Sequence, residues 1–178
     1  MYTPWGKSDY QKTYIENGIV FHGTPSHGGF KVYKKYNHQI PEYMRNSDGW
    51  YEEDCEWCKV AIIFPELFVD SYSRALDTFR NWLPDEYQKY FGITLRSDES
   101  YILKERELRE ASKDKYVVTS AMNTFDGNVK VHAVRGGRLE NGQYASNDEK
   151  WFLVPKHEYN SRHFVIDETN HIETTAGF

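Results

Sequence analysis

The sequence predicts an α+β fold: an antiparallel sheet packed against two or three helices, in a single domain over residues 1–178. Three observations predict it. Apolar residues recur with helical spacing in the middle of the chain, short β-branched and aromatic segments lie at both ends, and Gly-rich turns separate those segments. A chain of 178 residues is long enough to bury a core without disulfides, and it contains no repeat or linker.

The first third of the chain predicts two strands and two helices. Residues 1–16 are polar and aromatic without a clear period, so we expect an irregular arm. Strands are predicted at residues 19–21 and 30–33, joined by a Gly/His-rich connection. A short helix over 40–45 and a longer one over 52–64, acidic in its first turn and ended by Pro65, follow. A strand over 60–64 is the alternative.

The middle of the chain predicts the clearest helix, over residues 71–83. Its apolar side chains fall on one face and are Tyr72, Ala75, Leu76, Phe79, Trp82 and Leu83. Pro84 is expected to end it, and a more charged helix is predicted over 98–113. Strands are then predicted at residues 116–119, 128–134, 150–154 and 163–166, separated by turns at Asp126-Gly127, Gly136-Gly137 and Asn141-Gly142.

Charge and hydropathy exclude two classes of protein. The formal net charge is −5 and basic residues are scattered, which argues against a general nucleic-acid binder because such proteins gain affinity from clustered Lys and Arg. The chain has no apolar run of about 18 residues, as a membrane span needs, and no charged-then-apolar leader. We therefore expect a cytoplasmic protein that does not bind membranes. Its oligomeric state is not indicated.

The Gly/His-rich connection, residues 22–29, is the first candidate for chemistry. It presents His22 and His27 at its two ends, and its glycines permit close approach of the backbone to a ligand. Ser26 is a further binding candidate. The alternative is a tight turn with no further role. No phosphate-binding glycine pattern is present.

The second candidate is the segment from Gly49 to Trp57, which is rich in acids and indoles. On the predicted helix, Trp50 and Trp57 lie on the same side as Glu53 or Asp54, and partial desolvation between two indoles suits a general acid or base. The catalytic prediction is therefore His27 with Glu53 or Asp54. Neighbouring residues are predicted to bind, namely Trp50, Tyr51 and Glu52. Alternatively, the acids only begin a helix.

Two further patterns carry weaker predictions. Cys55 and Cys58 are interpreted as two buried thiols on one helix, with a zinc half-site or a redox pair as alternatives. Arg135 and Arg138 flank two glycines and are predicted either to bind an anion or to flank a plain hairpin turn. No metal and no cofactor is predicted.

Several motifs together resemble a domain family of phage, plasmid and other mobile-element proteins. They are the stretches Thr24 to Phe30, Gly49 to Trp57 with Phe64-Pro65, Arg135 to Arg138, and Trp151 to Pro155. The resemblance covers roughly residues 3–167 and carries no known activity. It implies that His27, Glu52, Glu53 and Asp54 belong to the part that defines the domain, and that the protein has an accessory role such as blocking a host defence. At position 58, Cys58 replaces an alanine-like residue of that pattern.

Two functions are predicted from these observations. The first is an accessory protein of a mobile element that binds a host protein or nuclease complex, as an inhibitor of a defence system such as a CRISPR or restriction nuclease; Tyr and Trp are favoured interface anchors. The alternative is a small hydrolase or nucleotide-modifying enzyme that uses His27. For this second function, His22-Gly23-Thr24 resembles the first-strand motif of some ADP-ribosyltransferases. The glutamate that such enzymes carry later in the sequence would be Glu158 or Glu173.

Overall fold

The computed structural model describes residues 1–160 and 163–176 and has an α+β fold, as predicted. The chain divides into two compact units, residues 1–103 and 104–178, and helix α5 (Tyr101–Ala111) contains the boundary. That the chain is a single domain stays a prediction. Within the described residues, no helix is both long enough and apolar enough to cross a membrane.

The first unit contains a small hairpin and a four-stranded antiparallel sheet with the order β3-β4-β5-β6. The six strands are β1 (Tyr2–Thr3), β2 (Gly6–Lys7), β3 (Tyr10–Ile15), β4 (Ile19–Gly23), β5 (Gly28–Val32) and β6 (Trp50–Glu52). Its four helices are α1 (Lys34–Asn37), α2 (Trp57–Ile63), α3 (Tyr72–Trp82) and α4 (Pro84–Phe91). Single 3₁₀ turns occur at Glu42–Met44, Pro65–Leu67, Val69–Ser71 and Ser97–Glu99.

The two faces of this sheet have different environments because side chains alternate along a strand. One face carries Phe30 and Tyr51, which are register partners, and packs with α2 and α3 into an aromatic-rich core that includes Phe79. The other face carries Trp50, and the hairpin β1-β2 lays Trp5 against it with the two ring centroids 5.7 Å apart. The N-terminal hairpin therefore covers the side of the sheet that the helices leave open.

The second unit contains a four-stranded antiparallel sheet with the order β10-β9-β8-β7. Its strands are β7 (Tyr116–Asn123), β8 (Asn128–Arg135), β9 (Glu149–Pro155) and β10 (Ile172–Thr174). Its core centres on Tyr116, Val131 and Phe152, all nearly or fully buried. Three of these four strands, β7, β8 and β9, are formed by segments whose β-branched and aromatic residues predict strands.

Several elements differ from prediction. Residues 1–16 form β1, β2 and the whole of β3 instead of an irregular arm. The helix predicted over 52–64 begins only at Trp57, since the preceding aromatic residues pair with β5 as a strand. Pro84 ends α3 and also begins α4, because proline is tolerated in the first turn of a helix. The strand predicted at 163–166 is a single bridge between Val165 and Val117.

Candidate functional site

The Gly/His-rich loop and the acidic turn meet at one end of the first unit's sheet. Strands β5 and β6 pair with Gly29 opposite Glu52, and the Glu53 amide donates to the Gly28 carbonyl at 3.1 Å. The loop between β4 and β5 is closed by the Thr24 amide donating to the His27 carbonyl at 2.8 Å. Strand pairing therefore brings together two segments that are about 25 residues apart in sequence.

Three ionisable side chains converge where these segments meet. The ligand atoms of His27, Glu52 and Asp54 all lie within 4.8 Å of one another. His27 and Asp54 are exposed and Glu52 is half-buried. We call this group the His–carboxylate cluster.

Glu52 holds the turn that carries the cluster. Its Oε2 accepts hydrogen bonds from the amides of Asp54, at 2.7 Å, and Cys55, at 3.2 Å. Its Oε1 is buried and has no hydrogen-bond partner among the described residues. One oxygen of the carboxylate thus stabilises the turn, and the other is left without a donor.

Glu53 has a different position from the one predicted. It is not part of the cluster: its Oε2 lies 2.7 Å from the point where a Cβ on Gly28 would stand. Glu53 and Asp54 both line an open groove of about 490 Å³ on the helix side of the sheet. Asp54 is therefore common to the groove and to the cluster, while Glu53 belongs to the groove.

This groove, which we call the aromatic groove, is walled by β3, β4, β5, α2 and α3. Its lining residues are Tyr10, Lys12, Tyr14, Phe21, Phe30, Glu53, Asp54, Trp57, Phe68, Ser71, Arg74 and Thr78. The rings of Tyr14 and Phe68 are stacked, with their centroids 5.1 Å apart. The Arg74 guanidinium lies 5.0 Å from the Trp57 ring, and the Lys12 ammonium 4.7 Å from the Tyr14 ring. The groove can bind apolar or planar groups and offers both signs of charge.

Sequence reasoning missed most of the groove. Tyr10, Lys12 and Tyr14 share one face of β3, but Lys12 and the residues between them are polar, so no alternation of apolar and polar residues predicts this strand. Arg74 lies on the correctly predicted helix, on the exposed side of an apolar stripe, where nothing in the sequence pairs it with Trp57.

Trp50 and Trp57 do not frame the acids as predicted. Because Glu52 ends a strand and Trp57 begins a helix, the two indoles lie on opposite faces of the sheet. Trp57 lies in the helix-side core and Trp50 lies beside Trp5.

His22 is not presented by the loop, as the sequence predicts, but lies on strand β4. It is 2% exposed on β4, with its ring 5.5 Å from Trp50 and its Nδ1 3.3 Å from the Ser8 hydroxyl. Burial lowers the pKa of His22, so the ring stays neutral.

Tyr51 and Ser26 complete the binding residues predicted in this unit. Tyr51 is fully buried and serves the fold: its hydroxyl donates to Asn37 Oδ1 at 2.6 Å and accepts from the Asn46 amide at 3.1 Å. Ser26 is exposed in the loop next to His27. Of the predicted residues, the structure therefore brings together His27, Glu52 and Asp54, with Glu53 and Ser26 adjacent.

The two cysteines are free thiols in different environments. Cys58 is fully buried on α2, as predicted, but Cys55 lies in the turn before the helix and is only half-buried. Burial raises the pKa of the Cys58 thiol, and burial followed by nearby carboxylates raises that of Cys55. Both thiols are therefore protonated near neutral pH, the form that is poor at binding metal.

Arg135 and Arg138 lie in the second unit, around a turn with positive φ at Gly136 and Gly137. The Arg135 guanidinium pairs with Asp148 at 2.6 Å, and Arg138 donates to the Gly142 carbonyl at 2.8 Å. Each guanidinium also lies over a tyrosine ring. Both guanidiniums therefore have partners within the second unit. This arrangement agrees with the alternative prediction, in which the two arginines flank a hairpin turn, rather than with an anion site.

These features define an α+β protein whose first unit combines a His–carboxylate cluster with an aromatic groove. The family model described as "Domain of unknown function (DUF7007)" matches residues 1–113, and the chain belongs to this family. The match contains the loop, the acidic turn and every residue of the groove. Searches of curated proteins and of solved structures found no significant match.

Proposed function

We propose that this protein acts by binding another protein through the aromatic groove. The observation that carries the proposal is the composition of the groove wall, in which tyrosine, tryptophan and arginine side chains surround about 490 Å³ of open space. These three residue types dominate the energetics of protein interfaces. Tyr10 is 57% exposed, so part of this apolar surface is accessible to a partner.

The charge beside the groove supports a basic partner. Among the described residues, no lysine or arginine lies within 4.0 Å of the carboxylates of Glu52, Glu53 or Asp54. These three carboxylates outnumber the two cations of the groove wall, Lys12 and Arg74, so the described charges complement a positively charged surface such as the nucleic-acid face of a nuclease. The wider role follows from the motif resemblance: a mobile-element product that inhibits a host defence nuclease of the CRISPR or restriction class.

The test is affinity purification from cells of the encoding species at low salt, followed by reconstitution. The groove variant Tyr10→Ala with Arg74→Ala changes two exposed groove residues; its matched control, Tyr2→Ala with Lys7→Ala, changes an exposed tyrosine and an exposed cation outside the groove. We expect one stoichiometric partner with wild type and control, lost with the groove variant. The purified partner should form a complex that weakens as salt rises.

Two outcomes would contradict this function. One is the absence of any stoichiometric partner under low salt. The other is a reconstituted complex that the groove variant forms as well as wild type does.

The His–carboxylate cluster favours a second candidate, a small hydrolase or nucleotide-modifying enzyme. The ligand atoms of His27 and Asp54 lie close enough for one bridging water to join them, a geometry that general acid–base catalysis can use. The ADP-ribosyltransferase form of this candidate has less support, because His22 is buried beneath Trp50. Turnover of phosphoester, ester or NAD substrates that His27→Ala abolishes would favour the enzyme; no turnover by wild type would end it.

A further inference from the structure

We propose that His27, Glu52 and Asp54 bind a divalent transition-metal ion, of which Zn²⁺ is the representative. The proposal does not depend on the binding of a protein partner. It depends on the donor set, the spacing of the donor atoms and the unpartnered oxygen of Glu52.

The donor set fits this class of metal. One imidazole nitrogen with two carboxylates is a ligand combination of zinc and of neighbouring first-row metals. Mg²⁺ and Ca²⁺ prefer oxygen donors throughout, so the imidazole of His27 disfavours them. Solvent can complete the coordination, because His27 and Asp54 are exposed.

The spacing requires only small adjustments. Zinc bonds of 2.0–2.2 Å place the ligand atoms of a tetrahedral site roughly 3.4 Å apart. The donor atoms here are at most 4.8 Å apart. His27 and Asp54 can close the difference by rotation of their exposed side chains, while Glu52 is already oriented by the two turn amides.

The unpartnered oxygen is the independent observation that points to a ligand. The turn explains Glu52 Oε2, which accepts hydrogen bonds from two amides, but the buried Oε1 has no donor in the part of the chain that the structure describes. Buried polar atoms in folded proteins are nearly always paired, with protein, water or an ion. Among the described residues, the adjacent carboxylates of Glu53 and Asp54 form no ion pair, so a cation is the partner that the local charge favours.

The test is calorimetric titration of the full chain, stripped with EDTA, with ZnCl₂. We expect one Zn²⁺ per chain, and affinity at least about tenfold weaker in His27→Ala and in Glu52→Gln, because each removes a ligand. In Glu52→Gln, the side-chain amide oxygen can still accept the hydrogen bonds from the Asp54 and Cys55 amides that hold the turn. His38→Ala, an exposed histidine of the same unit outside the cluster, and Cys55→Ser should bind as wild type does.

Co²⁺ in place of Zn²⁺ adds a spectroscopic measurement. We expect visible d–d bands without a thiolate charge-transfer band, since neither cysteine belongs to the cluster. The proposal is overturned if wild type does not bind Zn²⁺, if both ligand variants bind it as tightly as wild type, or if Cys55→Ser abolishes binding. Should Glu52→Gln fail to fold, His27→Ala on the exposed loop decides alone.

Discussion

At the scale of single residues, the buried Tyr51 has a specific structural role in the first unit. Its buried hydroxyl joins Asn37 to the Asn46 amide, and the Asn46 side chain in turn donates to the Trp50 carbonyl at 2.6 Å. We predict that Tyr51→Phe lowers the free energy of unfolding by about 1–3 kcal/mol, because it leaves buried polar groups unpaired. Denaturant unfolding monitored by circular dichroism measures this loss.

The same residue predicts a pH dependence. Burial raises the pKa of Tyr51 to about 12, above the usual 10 of an unfolded chain. The Tyr51 hydroxyl therefore holds its proton more tightly in the folded state than in the unfolded state. Its contribution to the free energy of unfolding is fully present below pH 10 and is lost as the pH rises toward 12. This alkaline component should be absent in Tyr51→Phe and present in the control Tyr33→Phe, which alters an exposed tyrosine. Equal alkaline profiles for the two variants would refute the assignment.

At the scale of elements, strand β5 explains the paired glycines of the loop motif. A Cβ on Gly29 would stand 2.2 Å from the Trp5 ring and 2.6 Å from the Tyr51 carbonyl. We predict that Gly29→Ala lowers the free energy of unfolding by about 1–3 kcal/mol, because Trp5 and the backbone of β6 must both move. Thermal and denaturant unfolding of the variant measure the change.

Gly23→Ala is the matched control for this substitution. Gly23 lies on the neighbouring strand β4, and its added Cβ would meet only ordinary contacts of 3.5 Å or more, with Tyr10 and Phe21. It should change stability by much less than Gly29→Ala. If the two variants were equally stable, close packing of Trp5 over β5 would not be the reason for the glycine.

Elements with strong local patterns were predictable, and those set by distant contacts were not. Helix α3 was predicted within a residue of its bounds because its apolar face repeats with helical period. The helix predicted over 52–64 starts too early in the sequence, because Trp50–Glu52 pairs with β5 as a strand. The N-terminal strands are mostly exposed, so residues 1–16 lack the alternation of apolar and polar residues that predicts strands.

For the whole molecule, metal binding should be visible as stability. Zn²⁺ at about 100 times its dissociation constant stabilises the folded state by about 2.7 kcal/mol. In a chain of this size each kcal/mol raises Tm by roughly 2–4 °C. We expect this rise in wild type and in His38→Ala, measured by thermal denaturation with and without EDTA. An equal rise in His27→Ala would show that the ion binds elsewhere.

The location of the site was partly predictable from sequence. The density of reactive residue types indicated both segments, and the residues of the cluster all lie in them. Which acids face His27 was not predictable, because the pairing of Glu52 with β5 and the turn that follows decide that Glu52 and Asp54 join His27 while Glu53 lines only the groove. The groove itself depends on β3 and α3, which are far apart in sequence.

The central claim is that the Gly/His-rich loop and the acidic turn form one site. The most direct test is a crystal of the protein soaked with Zn²⁺ and measured at the zinc absorption edge. The claim predicts an anomalous peak about 2.0–2.2 Å from donor atoms of His27, Glu52 and Asp54. A map with these three side chains directed apart, or with its zinc peak at Cys55 and Cys58, would contradict it.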